Sequence, residues 1–408
     1  MGNPINTGDT AWLLVCCSLV LLMTPALALF YGGMVRRKNV LSTLTLSYVF
    51  MALIGVQWVL YGYSLAFGES IGGIIGGLNY LGLSGVGALP NPNYGKTIPH
   101  GLFAAFQMMF AVITPALITG AFVERVRFKS FLLFSLIWAT LVYDPLCHWV
   151  WGKGGWLGAM GALDFAGGTV VHIAAGFSAL AFALAIGPRK GFGKTPMEPH
   201  NIPLTVIGAG LLWVGWFGFN AGSALAANGV AVNALLTTNT SAATAGLVWM
   251  VLSWLDGRPS TLGMVTGMVA GLAAVTPASG FVTPMAAMVI GAVAAPISYY
   301  GIRFRDRRKL DESLDVWACH GLASTWGMIA TGLFATVEVN AAGANGLFYG
   351  HPGQLAIQLL AIVVTMAFTF GVTFVVAKLL DWSIGLRVTT MEEEVGLDIS
   401  AHGERAYS

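Results

Sequence analysis

Charge is what this chain has least of. Only 9% of its 408 residues are Asp, Glu, Lys or Arg while 56% are hydrophobic, which excludes a soluble domain with a hydrated charged surface and points to an integral membrane protein. The net charge of +2 gives no bulk attraction for nucleic acid or acidic partners. Cysteine is scarce as well. Cys16, Cys17, Cys147 and Cys319 all fall in apolar runs without metal-ligand spacing, so they read as buried thiols, and no metal site is expected. A GxxxxGK followed by Ser or Thr is missing, which removes the simplest ATP-driven mechanism, and no redox cofactor is implied.

What is there is a succession of long apolar runs between Ala11 and Leu380. We read eleven spans, at 11–31, 43–66, 102–122, 130–151, 166–186, 202–220, 237–255, 261–276, 283–302, 315–333 and 356–380. The Gly-rich eighth, "TLGMVTGMVAGLAAVTP", reads as a buried, broken or short helix. Alternate connections carry "RRKN", "ERVRFK", "PRKGFGK", "DGR" and "RFRDRRK", whereas the opposite loops hold only Lys96 and Lys153. The positive-inside rule then places the N-terminus outside and the C-terminus in the cytoplasm, as an odd number of spans also requires. No basic residue precedes the first apolar run, so that run is expected to be retained as a span and not cleaved as a secretory signal.

With an odd count, spans one to five and six to ten would enter the membrane from opposite sides, as two inverted repeats. The expected division is a first five-helix repeat over 1–186, a second over 187–333, an external loop with the eleventh helix over 334–384, and a cytoplasmic regulatory tail over 385–408. "DFAGGTVVH" opens the fifth span and "DVWACHG" the tenth, so an Asp leads to a His at equivalent places in the two halves. At a rise of about 1.5 Å per residue His172 lies roughly 9 to 12 Å below the outer surface and His320 roughly 8 to 12 Å above the inner one. Two imidazoles at such depth mark a transport path, unless each only satisfies a neighbouring carbonyl. Asp164 and Asp315 read as helix caps, with Asp164 also able to aim backbone dipoles at a cation.

Aromatic residues gather on the outer side. "AAFQMMF" puts Phe106 and Phe110 on one face of the third span, "HWVWGKGG" ends the fourth with Trp149 and Trp151, and "GWFGFNAGS" supplies Phe219 and Ser223 at the outward end of the sixth. Any one of them could be an interfacial anchor. Together, aromatic faces and a serine oxygen suit a small monovalent cation that carries N–H donors, and they suit an anion poorly. Below them the passage is expected to hold phenyl rings, then two imidazoles, and no acidic residue in the deep apolar stretches. A permanent cation such as K⁺ would lose its hydration there at high cost. Ammonium has another route, since it can give up a proton and cross as ammonia while the imidazoles carry the proton.

These segments resemble the Amt/Mep/Rh ammonium transporter family, on its bacterial and archaeal Amt side. The motifs are "ALFYGGMVRRKNVLS", "DFAGGTVVHI", "GWFGFNAGS", "DVWACHG" and the tail "GLRVTTMEEEVGLDISAHGERAY", which together span nearly the whole chain. The resemblance implies that His172 and His320 are twin pore histidines, Phe110 and Phe219 gate or pore-lining rings, and Trp151, Phe106, Phe110 and Ser223 an outer recruitment site supported by Asp164. It implies a homotrimer with one pore per subunit, embedded in membrane lipid, taking ammonium or methylammonium, and a PII-type signal protein at the cytoplasmic face. The function expected is ammonium transport across the cytoplasmic membrane, and not enzymatic catalysis. A passive ammonia or carbon dioxide channel of Rh type, and an ammonium sensor that signals through its tail, are the alternatives.

Overall fold

A backbone inside hydrocarbon must satisfy its own N–H and C=O groups, and apolar runs of this length do so by forming helices. The computed structural model describes residues 5–407. Among the described residues nine helices are long and apolar enough to cross a membrane: Thr7–Met34, Arg37–Phe67, His100–Ala121, Phe128–Ala159, Gly168–Ile186, Ile202–Gly222, Gly229–Leu255, Pro284–Arg307 and Pro352–Ile384. Two further helical stretches stand at the eighth and tenth expected spans. These are Thr261–Val275 and the stretch 317–334, in which Trp317–Leu322 runs into Ala323–Phe334. The eleven are numbered here first to eleventh in chain order.

The eighth helix has 15 residues and is mostly buried from Val265 onward. At about 1.5 Å per residue it falls short of a hydrocarbon core about 30 Å thick, which accounts for its ambiguous sequence. The outermost helices run past their apolar runs, to Thr7–Met34 and Pro352–Ile384, because polar residues outside the apolar stretch complete the end turns. Side-chain caps start several helices: Asn6 accepts from the Asp9 amide at 3.1 Å, Asn201 from Leu204 at 3.0 Å and Ser260 from Gly263 at 3.0 Å.

Small residues set how closely the helices pack. The first and sixth helices lie against each other along their length, and a Cβ at Gly208 would fall 2.4 Å from the Phe30 amide nitrogen. The fifth and tenth helices cross at a second contact of this kind. A Cβ at Gly176 would meet the Gly321 backbone at 2.3 Å, so only a bare backbone fits. That crossing lies one helical turn beyond His172 and one residue beyond His320. Between the second and third helices, 68–99 forms a long connection with a short antiparallel pair, Ser70–Ile71 against Ile75–Gly76.

At the end of the bundle that carries the tail, Glu124 accepts from Arg36 and Arg189, and Arg189 continues to Asp311 at 2.7 Å. Burial alone would raise the Glu124 carboxyl, but Arg189 and then Arg36 outweigh it and hold it below the ordinary glutamate range. The same opposition, burial against Arg189 and Arg125, holds Asp311 low. The tail is fastened to this network. The Arg387 guanidinium donates to Glu393 at 2.7 Å, the Lys190 amide donates to Glu393 at 2.5 Å, and the Ser42 amide donates to Asp398 at 2.8 Å.

Candidate functional site

The fifth helix begins under an unusually complete cap. The Asp164 carboxylate accepts from the amides of Gly167, Gly168 and Thr169 at 2.8, 2.6 and 2.7 Å, and from the Thr169 hydroxyl. Gly167, at φ 116°, supplies the left-handed turn that this requires. The carboxylate thereby occupies the positive end of the helix, and Asp164 does not line the outer cavity. Asp315 is arranged differently from the expected cap. It forms an ion pair with Arg305, while Glu312 accepts from the Val316 and Trp317 amides at 3.1 and 3.2 Å and so caps the tenth helix. The cap falls three residues earlier because Asp315 sits at φ 63°, which turns its side chain away from the first helical turn.

Both histidines lie in π-helical turns, His172 in Gly168–Ile173 and His320 in Trp317–Leu322. Such a turn widens the helix locally and recurs at functional sites. The rings stack with centroids 5.2 Å apart and planes at 20°, and the two Nδ1 atoms are 3.2 Å apart. A hydrogen bond between two Nδ1 atoms requires one to carry the proton and the other to be bare. The pair therefore holds one bridging proton and offers one bare Nε2 and one Nε2–H. His172 Nε2 is buried with no partner among the described residues.

A cavity of only about 10 Å³ runs past the pair, lined by His172, His320, Trp216, Phe219 and aliphatic side chains such as Leu27 and Ile113. That is room for roughly one water-sized molecule. Next to it the aromatic rings form a continuous series: Phe219 lies 5.9 Å from His172, Phe110 lies 4.2 Å from Phe219, and Trp151 meets Phe110 edge-on at 5.9 Å. Beyond Phe110 a cavity of about 290 Å³ opens outward, lined by Trp151, Ser223, Phe110 and Gln107 among others.

Electrostatically this outer cavity favours a cation. The sixth helix ends at Ser223 and the Asp144–Trp151 segment ends at Gly152, so two helix C-termini, the negative ends of their dipoles, reach its wall. The Ser223 hydroxyl donates to the Phe219 carbonyl at 2.9 Å, which leaves its oxygen able to accept from a ligand. The Trp151 indole is held by a hydrogen bond to the Asp164 carbonyl at 2.9 Å.

Trp151, Phe110 and Ser223 thus come together as the sequence spacing suggests. Phe106 does not join them at the cavity: it is fully buried and packs behind Phe110, with ring centroids 5.0 Å apart. The stripe of the third helix that lines the cavity is Phe103, Gln107 and Phe110, and Phe106, about 100° round the helix from Gln107, falls beside that stripe. Gln107 was missed by sequence reasoning; it lines the cavity with a buried Oε1 that has no partner among the described residues. Its signal was a polar residue within "AAFQMMF". Asp144 was also passed over. It is a fully buried carboxyl in the fourth helix, contrary to the expectation of no acidic residue at depth, though it does not line the central cavity.

Apolar helices packed around a small buried cavity with paired imidazoles fit the class of multi-pass membrane transporters. The chain belongs to the Ammonium Transporter Family, whose family model matches residues 11–407. It is 53% identical over 404 residues to ammonium transporter Amt1 of Archaeoglobus fulgidus, covering 99% of this chain and 100% of that one. It is 52% identical to the ammonium transporter of Bacillus subtilis, covering 99% of each. The crystal structure of Candida albicans Mep2 superposes with a TM-score of 0.89 at 36% identity, over 95% of this chain and 88% of that one. A structure described as a sensor Amt protein gives 0.89 at 29% identity, over 97% and 98%.

Proposed function

We propose that the protein takes ammonium into the cytoplasm by capturing the cation at the outer cavity, parting it from its proton, and passing ammonia beside the twin histidines while the proton is relayed inward over their shared hydrogen bond, so that ammonium re-forms on the cytoplasmic side and one charge crosses per molecule. The observation that carries this reading is the Nδ1–Nδ1 contact of His172 and His320 at 3.2 Å beside a cavity of about 10 Å³. The cavity is too narrow for a hydrated cation, and its neighbours are imidazoles, which can accept and return a proton. Trp151, Phe110 and Ser223 form the capture site, with Asp164 as its support, while Phe110 and Phe219 close the pore below it.

In this reading the eleven helices all span the membrane, the two groups of five are inverted repeats, the N-terminus is outside, and the tail is cytoplasmic. Three copies form a homotrimer in the cytoplasmic membrane, and a PII-type protein docks on the cytoplasmic face. Purified protein in liposomes tests the transport claim: an ammonium gradient should give net inward current. Flux without current would support a passive ammonia channel instead.

A sensing role is a second reading, favoured by the tail's contacts with Lys38 and Ser42 at the start of the second helix and with Lys190 in the loop after the fifth. A variant that no longer transports but still regulates its partner would establish it.

A further inference from the structure

The second helix passes from Gln57 into a π-turn at Trp58–Gly62, and the fourth passes through one at Ala139–Tyr143 into Asp144–Trp151. Gln57 and Asp144 meet between them. The Gln57 Nε2 donates to Asp144 Oδ2 at 2.7 Å, and both residues are buried, at 2% and 0% exposure. The other two oxygens, Asp144 Oδ1 and Gln57 Oε1, are buried without a partner among the described residues. Gly62 leaves the room that the amide occupies, since a Cβ there would fall 2.5 Å from Gln57 Oε1 and 2.7 Å from Nε2.

The donors and acceptors do not balance if Asp144 is ionised. An ionised carboxylate only accepts, so the sole donor for three buried oxygens would be the Gln57 amide. No Lys, Arg or His forms an ion pair with Asp144 among the described residues; along the helix the phenol of Tyr143 and the thiol of Cys147 supply no positive charge, and His148, one turn on, uses its two ring nitrogens on the Ala66 carbonyl and the Ser70 hydroxyl. A lone buried charge would cost far more than neutralisation. One proton closes the set: Oδ1–H donates to Gln57 Oε1 while Nε2–H donates to Oδ2, giving an acid–amide ring with every oxygen satisfied.

We propose that Gln57 and Asp144 form a proton-holding site, in which Asp144 carries a resident proton on Oδ1 and shares it with Gln57 Oε1. The site keeps a carboxyl inside the bundle without adding a fixed charge that would draw alkali cations. It also ties the second helix to the fourth, seven residues, or about two turns, before Trp151. Asp144 is therefore a positioning residue for the Trp151 indole, and this part rests on the reading of the outer cavity as the capture site.

Infrared difference spectroscopy of the full protein in lipid tests the proton directly. The expected result is a protonated-carboxyl C=O band that persists from acid to alkaline pH, shifts in D₂O, and is lost in Asp144→Asn. Gln57→Leu should move it to higher frequency by removing the hydrogen bond. A spectrum in which Asp144→Asn removes carboxylate bands instead would overturn the proposal. Because an amide pair reproduces the ring, Asp144→Asn should keep thermal stability and keep the apparent affinity for methylammonium within about twofold. Asp144→Ala should lose several-fold in affinity, with the maximal rate changed less. Loss of folding or affinity in Asp144→Asn as severe as in Asp144→Ala overturns the pair. Unchanged affinity in Asp144→Ala overturns the positioning role alone and leaves the infrared result to judge the proton.

Discussion

The Trp151 indole nitrogen donates to the backbone carbonyl of Asp164 at 2.9 Å, so the residue that caps the fifth helix also holds the ring at the mouth of the outer cavity. In the proposed reading, capture and pore entry are thus mechanically linked. The carboxylate sets the start of the helix that carries His172, and the carbonyl of the same residue sets the angle of the indole.

Removing that indole should weaken capture. A cation–π interaction of about 1 to 2 kcal/mol corresponds to roughly a five- to thirtyfold change in affinity, which is the loss expected for Trp151→Leu. Phe106→Leu should leave the apparent affinity for methylammonium nearly unchanged, since Phe106 is buried behind Phe110 and does not line the cavity. Uptake titrations on both purified variants check this, and equal losses would contradict the assignment of the cavity wall.

Phe110 and Phe219, with ring centroids 4.2 Å apart, stand between the outer cavity and the histidines. Replacing both with Ala removes the two rings and should let water reach His172 from outside. Water permeability of proteoliposomes under an osmotic gradient should rise. If it does not, the rings are packing and not a barrier.

The sequence made the site legible where chemistry and position coincide. His172 and His320 stand out because an ionisable side chain in an apolar run has few explanations, and the backbone crossing that joins their helices uses Gly321, the last residue of the second motif, and Gly176, three residues past the first. The cap of the tenth helix was not legible, since Glu312 and Asp315 both precede it and only the backbone angle of Asp315 decides between them. Asp144 escaped although it lies inside the fourth expected span, 130–151, because nothing along the chain marks Gln57, on the second span, as the partner that satisfies it. Helix ends were blurred by capping residues outside the hydrophobic runs.

The cytoplasmic clasp should respond to acid in a defined direction. Glu124 and Asp311 are both held below their ordinary range by arginines that outweigh burial. Depressed folded values mean that their stabilisation is complete above the unfolded carboxylate range, about pH 4, and is lost as pH falls through the lower folded values. Protease access to the tail should therefore be flat near neutrality and rise only below about pH 4. A rise between about pH 8 and about pH 6 would show that other groups control the clasp.

Deleting residues after Arg387 should abolish binding of a PII-type protein, because the removed segment carries Glu393 and Asp398 and covers the loops at Lys38 and Lys190. Glu393→Ala should loosen the tail without removing it, by freeing Arg387 and the Lys190 amide. Pull-down and limited proteolysis separate the two effects. Tight binding to the truncated protein would place the docking surface elsewhere.

The central claim is that discrimination against alkali ions arises from proton chemistry at the histidine pair, and liposome electrophysiology with separate ammonium and K⁺ gradients tests it most directly. The unaltered protein should pass ammonium current and exclude K⁺. His172→Asp or His320→Asp should admit K⁺, because a carboxylate stabilises a bare cation in the lumen, and His172→Ala should reduce ammonium current without ending ammonia flux. Unchanged ammonium current and unchanged K⁺ exclusion in all three variants would contradict the account and leave the histidines as packing groups.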